Sequence, residues 1–317
     1  MADRSLSDGP ELPEVQMHLH RQDEPATGVV VRNEICTPKK ASSFVRHIEF
    51  DVSGSRLAGS FRSGQSFGVL TPGLDEKGRP HSQRLYSFAC PTRGEKGHGN
   101  IISTTVKRVI DEHWDTKELF LGVASNYLCD LKVGDTAQLL GPAGKRFVLP
   151  TQHSDHDYLF FATGTGIAPF RGMLSDLYFQ SAPGSATLVM GSPYATELMY
   201  HDDFLALQQE NPGFCYLTAL SRERQMDCDE GIYVQHRIAT HRDQMVELLS
   251  KPTTLIYICG LVGMEIGIFQ QMAKVLPPDV LGQYLSVDPE AGEIDGWTRK
   301  MLHRKLKPTR RVFLEVY

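Results

Sequence analysis

FFATGTGIAPFRG, residues 160–172, decides the second half of the fold. Phe160 and Phe161 close an apolar run. Gly164 and Gly166 then allow a tight turn, and Pro169 stands where a helix begins, its missing N–H costing nothing in the first turn. Glycines in such a turn let backbone N–H groups approach phosphate oxygens, and the helix N-terminus favours their negative charge. The spacing is GxGxxP rather than GxGxxG, so the stretch taken alone suits a purely structural strand–turn–helix corner equally well.

Outward from it, compact apolar runs alternate with helical stretches. YLFFAT leads to APFRGMLSDLYFQ, ATLVMG to ELMYHDDFLALQQ, FCYLTAL to YVQHRIATHRDQMVELL, and LIYICG to GMEIGIFQQMAKVL. WTRKMLHRKL, read as a further helix, leads into VFLEVY. This alternation predicts βαβ units and a parallel, doubly wound sheet of about five strands over residues 157–317. Before it, residues 28–150 are punctuated by glycine and proline between short alternating runs such as SFVRHIEFDV, RLYSFAC and DTAQLLGPAG, the pattern of an antiparallel barrel or sandwich. One helix, VASNYLCDL, interrupts it. Polar residues Thr151–Asp157 mark the boundary. Residues 1–27 are polar, proline-bearing and aperiodic, and are read as a disordered lead-in.

Composition narrows the class. The 317 residues, 41% hydrophobic and 22% charged, suit two globular domains. No apolar run approaches the ~20 residues of a membrane span, and the start has no signal-peptide core. A net charge of −5 gives no general attraction to nucleic acid. The six cysteines form no CxxC pair, so no zinc site or cysteine-ligated cluster is readable. Their placement in apolar runs suits a reducing cytoplasm. The pairs His18/His20 and His153/His156 are not read as metal ligands.

Three further stretches carry chemistry. In RLYS, Arg84 and Tyr86 share one strand face and Leu85 and Ser87 the other. A guanidinium there grips a pyrophosphate in bidentate fashion, a tyrosine stacks on a flat ring, and a hydroxyl hydrogen-bonds to a ring nitrogen that accepts hydride. Each residue also has an ordinary strand role. In ICGLVGMEIG, Cys259 and Gly260 end a strand at the edge where doubly wound sheets bind ligands, although a buried core thiol fits the same position. VFLEVY ends on Glu315 and Tyr317, an acid and an aromatic in an otherwise apolar strand.

RLYS at 84–87, GVASNYLCDLKVGD at 122–135, GTGIAPFR at 164–171, CGLVGME at 259–265 and EVY at 315–317, in that order, resemble the plant-type ferredoxin–NADP reductase family over roughly residues 28–317. The resemblance implies an N-terminal antiparallel Greek-key barrel that binds FAD, then a doubly wound NADP-binding domain. Arg84 would hold the FAD pyrophosphate, Tyr86 would stack on the isoalloxazine and Ser87 would bond near N5. Val123, Ala124 and Ser125 would add phosphate and ribose contacts. Thr163, Gly164, Thr165 and Gly166 would cradle the NADP pyrophosphate, with Lys107 reaching the phosphates. Cys259, Gly260 and Glu315 would border the nicotinamide with Ser87, and Tyr317 would cover the flavin as a displaceable lid. Ser221, Arg222 and Arg224 stand where a 2′-phosphate needs partners, with Tyr233 to stack on adenine. Here the chain departs from the family, which places a basic residue where this sequence has Gly231.

The resemblance further implies an enzyme passing electrons from NADPH to a ferredoxin or flavodoxin-like one-electron carrier. A reductase component feeding an oxygenase is the alternative, and a non-catalytic flavoprotein scaffold a third reading. Arg299, Lys300, Arg304, Lys305, Lys307, Arg310 and Arg311, with no acid among them, form a cationic run that would steer an acidic carrier or simply stay solvated.

Overall fold

The computed structural model describes residues 9–38, 40–113, 115–180 and 184–317. Packing divides the chain into two compact units, one formed by Glu14–Leu149 with Ala168–Asp176, the other by Pro150–Ile167 and Leu177–Tyr317 with residues 9–13.

The first unit is a six-stranded antiparallel sheet ordered β4-β3-β8-β1-β2-β5. Its strands are β1 (Ala26–Ile35), β2 (Val45–Asp51), β3 (Ser66–Leu70), β4 (Arg84–Ser87), β5 (Ile101–Lys107) and β8 (Thr136–Ala143). A separate ribbon pairs β6 (Ile110–Glu112) with β7 (Leu119–Leu121), and helix α1 (Val123–Asp130) follows it. The edges β4 and β5 meet, with Thr104 Oγ1 donating to Ser87 O and Ala89 N to Ser103 O, so the sheet closes into a barrel. Alternation along the strands sends Phe50 and Phe67 inward to Phe61 and Phe88, and the last two stack at 4.4 Å.

The second unit is a five-stranded parallel sheet ordered β11-β10-β9-β12-β15. The strands are β9 (Asp157–Thr163), β10 (Ala186–Ser192), β11 (Phe214–Leu220), β12 (Thr254–Gly260) and β15 (Val312–Val316). Helices α2 (Ile167–Gln180), α3 (His201–Glu210), α4 (Arg237–Thr240), α5 (Arg242–Ser250) and α6 (Met264–Val275) connect them. The short helix α7 (Pro278–Gly282) and the hairpin of β13 (Leu285–Val287) and β14 (Leu306–Pro308) precede β15. Strands β9, β10 and β12 are buried along nearly their whole length, as sheets covered on both faces require.

Two expectations need correction. Residues 9–25 are not a loose lead-in among the described residues. His18 N donates to Pro142 O and His20 exchanges backbone bonds with Gly141, while Glu11 O accepts from Thr151 N. Polar composition concealed this because backbone groups make the attachments. WTRKMLHRKL, expected as a helix, forms only a 3₁₀ turn at Arg299–Met301 before β14. Burial of Trp297 and Leu306 in the core overrides its weak helical period, and His303 adopts a left-handed φ of 61°.

Candidate active site

In the parallel-sheet unit, chain order places β9 and β12 side by side while their following helices diverge, which makes a topological switch point at the C-terminal edge. The turn Gly164–Gly166 leaves β9 there, and Gly260–Gly263 leaves β12 beside it. The two backbones touch. A Cβ on Gly166 would stand 2.2 Å from the Cys259 carbonyl oxygen, and one on Gly260 would stand 2.1 Å from Thr163 Oγ1. Glycine at both positions is therefore a packing requirement as well as a phosphate-binding signal. Thr163 Oγ1 accepts from Leu261 N at 2.9 Å and donates to Met264 Sδ at 3.3 Å, lacing the two loops.

Strand β15 adds the remaining groups. Glu315 pairs in register with Cys259, and Val316 with Gly260. Tyr317 N donates to Gly260 O, and Tyr317 O accepts from Val262 N. The Tyr317 hydroxyl shares a 2.7 Å hydrogen bond with Thr165 Oγ1, while the residue as a whole is 59% exposed. Thr163, Gly164, Thr165, Gly166, Cys259, Gly260, Glu315 and Tyr317 thus converge on one sheet edge. Cys259 is buried, and that burial, reinforced by Glu315, holds its thiol protonated. Burial raises the Glu315 carboxyl to about 7, and Glu315 Oε2 is buried with no hydrogen-bond partner among the described residues.

Beyond β11, Ser221, Arg222, Arg224 and Tyr233 lie on one loop, with both arginines and the tyrosine ring exposed. Ser221 N donates to Ser192 O and Arg222 N to Pro193 O. Those backbone donors are engaged, which leaves side chains to meet a ligand. Sequence reading missed what fixes this loop, namely Gln225, Asp227 and the buried Arg237. Nothing in the helical pattern of YVQHRIAT marks that arginine as buried.

In the barrel unit, Arg84 and Leu85 are exposed and Ser87 is half-buried on β4. Burial pushes the half-buried Tyr86 phenol up to about 12. Helix α1 begins at Val123, 48% exposed, with no side-chain cap on its N-terminus. Ser125 Oγ instead accepts from Val109 N and donates to Gly122 O. Both β4 and α1 pack along β5. A free guanidinium, whose contact is a long 3.4 Å bond to Gln83 O, together with an uncapped helix start fits the pyrophosphate of FAD. Lys107 ends β5, exposed.

His20 bonds Glu24 O and Arg56 N, and His156 bonds Thr253 O, which are structural roles. A different group, His47, Glu49 and Glu95, is clustered and buried inside the barrel unit. Arg32 engages Glu49, and Arg171 engages Glu95 at 2.6 and 3.2 Å. The cationic run is also partly internal. Arg299 pairs with the fully buried Glu265, Lys305 with Glu290, and Arg311 is buried against the Thr254 and Lys251 carbonyls. Lys300, Arg304, Lys307 and Arg310 are exposed. Among the described residues no helix is long and apolar enough to cross a membrane.

Comparison with known proteins gives concordant results. Residues 160–269 match the family described as oxidoreductase NAD-binding domain. The chain is 37% identical over 266 residues to a ferredoxin–NADP reductase of Spirulina sp., covering 82% of this chain and 90% of that one. It is 38% identical over 271 residues to the chloroplastic leaf isozyme 1 of ferredoxin–NADP reductase from Arabidopsis thaliana, covering 84% and 74%. A solved ferredoxin–NADP⁺ reductase from Plasmodium falciparum with 2′P-AMP superposes with a TM-score of 0.68 at 20% identity, over 95% of this chain and 99% of that one, and shares the fold.

Proposed function

The chain belongs to the ferredoxin–NADP reductase family, and from that premise we propose that it is an FAD-dependent oxidoreductase passing electrons between NADPH and a ferredoxin or flavodoxin-like carrier. When bound, FAD supplies the step from hydride to single electrons. The chain's residues supply binding, orientation and proton control. Arg84 and the start of α1 (Val123, Ala124, Ser125) hold the FAD pyrophosphate and ribose, Tyr86 stacks on the ring, and Ser87 offers its hydroxyl to the ring nitrogen. Thr163–Gly166 take the NADPH pyrophosphate, Ser221 with Arg222 and Arg224 the 2′-phosphate, and Tyr233 the adenine.

The observation that carries the reading is the group on β12 and β15. A buried carboxyl without a partner costs stability, and such groups persist where a ligand completes them. Glu315 beside Cys259 suits the polar edge of a nicotinamide, and Tyr317, tethered by Thr165 yet exposed, suits a ring that the nicotinamide displaces. We place residues 28–150 with FAD and residues 157–317 with NADPH, and six free cysteines suit a cytoplasmic protein. The relatives named above are ferredoxin–NADP reductases, which favours a carrier over an oxygenase as acceptor, and an enzyme over a scaffold.

The test is an anaerobic NADPH titration of the purified protein followed by visible absorption. A two-banded flavin spectrum that bleaches with NADPH, and less readily with NADH, is expected. A colourless protein, or a flavin left oxidised, would end this reading.

A further inference from the structure

The loop between β11 and α4, residues 221–233, is held at its ends by its own backbone. Ser221 and Arg222 bond the segment after β10, and Ile232 N donates to Leu220 O at 2.8 Å. Its middle is a turn closed on itself by reciprocal backbone bonds between Gln225 and Cys228, and side chains fasten that turn to the strand. Gln225 accepts from Leu220 N at 2.7 Å and donates to Thr218 O and Oγ1 at 3.1 and 2.8 Å. Ala195 N donates to Glu223 Oε2 at 2.8 Å.

Arg237 does the most. Its guanidinium is 2% exposed. Nε donates to Thr218 O at 2.7 Å, Nη2 to Asp227 Oδ1 at 3.1 Å, and Nη1 to Asp227 Oδ2, with Cys228 Sγ at 3.8 Å. A guanidinium that far from water is tolerated only when a carboxylate and carbonyls meet it. Those partners come from the strand on one side and the middle of the loop on the other, so the charge acts as a rivet through the loop. Asp227, whose side chain is 49% exposed, is the loop's end of it, and Arg237 holds its carboxyl below the usual range.

From this geometry we infer that Arg237, through Asp227, is a positioning residue for discrimination between adenine nucleotides with and without a 2′-phosphate. The inference rests on reading 221–233 as the nucleotide loop. Arg224 lies between the backbone-held Ser221 and Arg222 and the rivet at Asp227, on the part of the loop that the rivet immobilises. A flexible cation loses ordering entropy each time it grips a phosphate, and the rivet removes part of that loss in advance. Tyr233, at the start of the 3₁₀ turn Val234–His236 and bonded through its carbonyl to His236 N, does not depend on it. Loosening the rivet therefore selects against the 2′-phosphate and spares the adenine.

The experiment is calorimetric titration of the flavin-loaded full chain with 2′,5′-ADP and with 5′-AMP, for the parent, Asp227→Asn and Asp227→Glu. The asparagine keeps the shape and removes the charge. It is expected to weaken 2′,5′-ADP by roughly tenfold, the scale of one charge-assisted contact, with 5′-AMP little changed. The glutamate, retaining the carboxylate, is expected to recover most of the loss. Unaltered 2′,5′-ADP affinity in Asp227→Asn overturns the inference. So does an equal loss for both nucleotides, by misfolding or otherwise, since it leaves only a structural role. A parent that does not separate the two nucleotides overturns the nucleotide-loop reading itself, a result distinguishable from the other two.

Discussion

Glu315 carries a proton-linked cost. Its carboxyl is raised from 4.5 to about 7 by burial, so the folded chain holds that proton more tightly than the unfolded chain does. Its stabilising effect is complete below about 4.5, declines as pH rises, and is gone above about 7, a swing of about 3 kcal/mol. Glu315→Gln cannot lose a proton. Its melting temperature should therefore fall less than the parent's between pH 5 and pH 8, by about 4 °C for a chain of this length. Parallel melting curves across that range would contradict the burial argument. The same substitution should remove any inflection near pH 7 in NADPH oxidation that depends on this carboxyl.

Elements decide what a residue can do. The family places a basic residue two positions before the tyrosine of the nucleotide loop, and this chain has Gly231. The structure gives a reason. A Cβ at Gly231 would stand 2.4 Å from the Ser221 carbonyl oxygen and 3.3 Å from Arg222 N, because the returning strand of the loop lies directly on its outgoing strand. Gly231→Lys is thus expected to weaken NADPH binding rather than strengthen it, by displacing Ser221 and Arg222, and to cost about 1–3 kcal/mol of stability as overpacking does. The Michaelis constants for NADPH and NADH, with ferricyanide as acceptor, check this. A variant with tighter NADPH binding and an unchanged melting temperature would show that the backbone gives way. Under the proposed function, the 2′-phosphate then falls to Ser221, Arg222 and Arg224.

For the whole molecule, the net charge of −5 sets a background against which local cations act. Of the seven cations between residues 299 and 311, Arg299, Lys305 and Arg311 are drawn into ion pairs and carbonyl contacts, while Lys300, Arg304, Lys307 and Arg310 are exposed. Reversing charge at Lys300 and Lys307 is expected to raise the Michaelis constant for ferredoxin several-fold at low salt, an effect that shrinks as salt screens it. Ferricyanide reduction should be nearly unaffected. Equal effects on both acceptors would mean that the patch takes no part in docking.

Sequence alone determined the alternation of strands and helices after residue 157, the short-strand pattern before it, and the motifs RLYS, GTGIAP, CGLVG and EVY. These are local, written in apolar period, turn chemistry and spacing, and period survives whatever the neighbours do. It did not determine strand order, and so could not bring Gly166 against Cys259 or Glu315 opposite Cys259, since parallel pairing joins residues up to about a hundred positions apart. It also misread the segments at 9–25 and 297–306, where backbone hydrogen bonds and two buried side chains outweigh composition. Arg237 and Asp227 belong to the same class. A buried charge looks like any other arginine in a helix until the fold surrounds it, because its burial is a property of Thr218 and Asp227 meeting in space and not of the residues beside it in the chain.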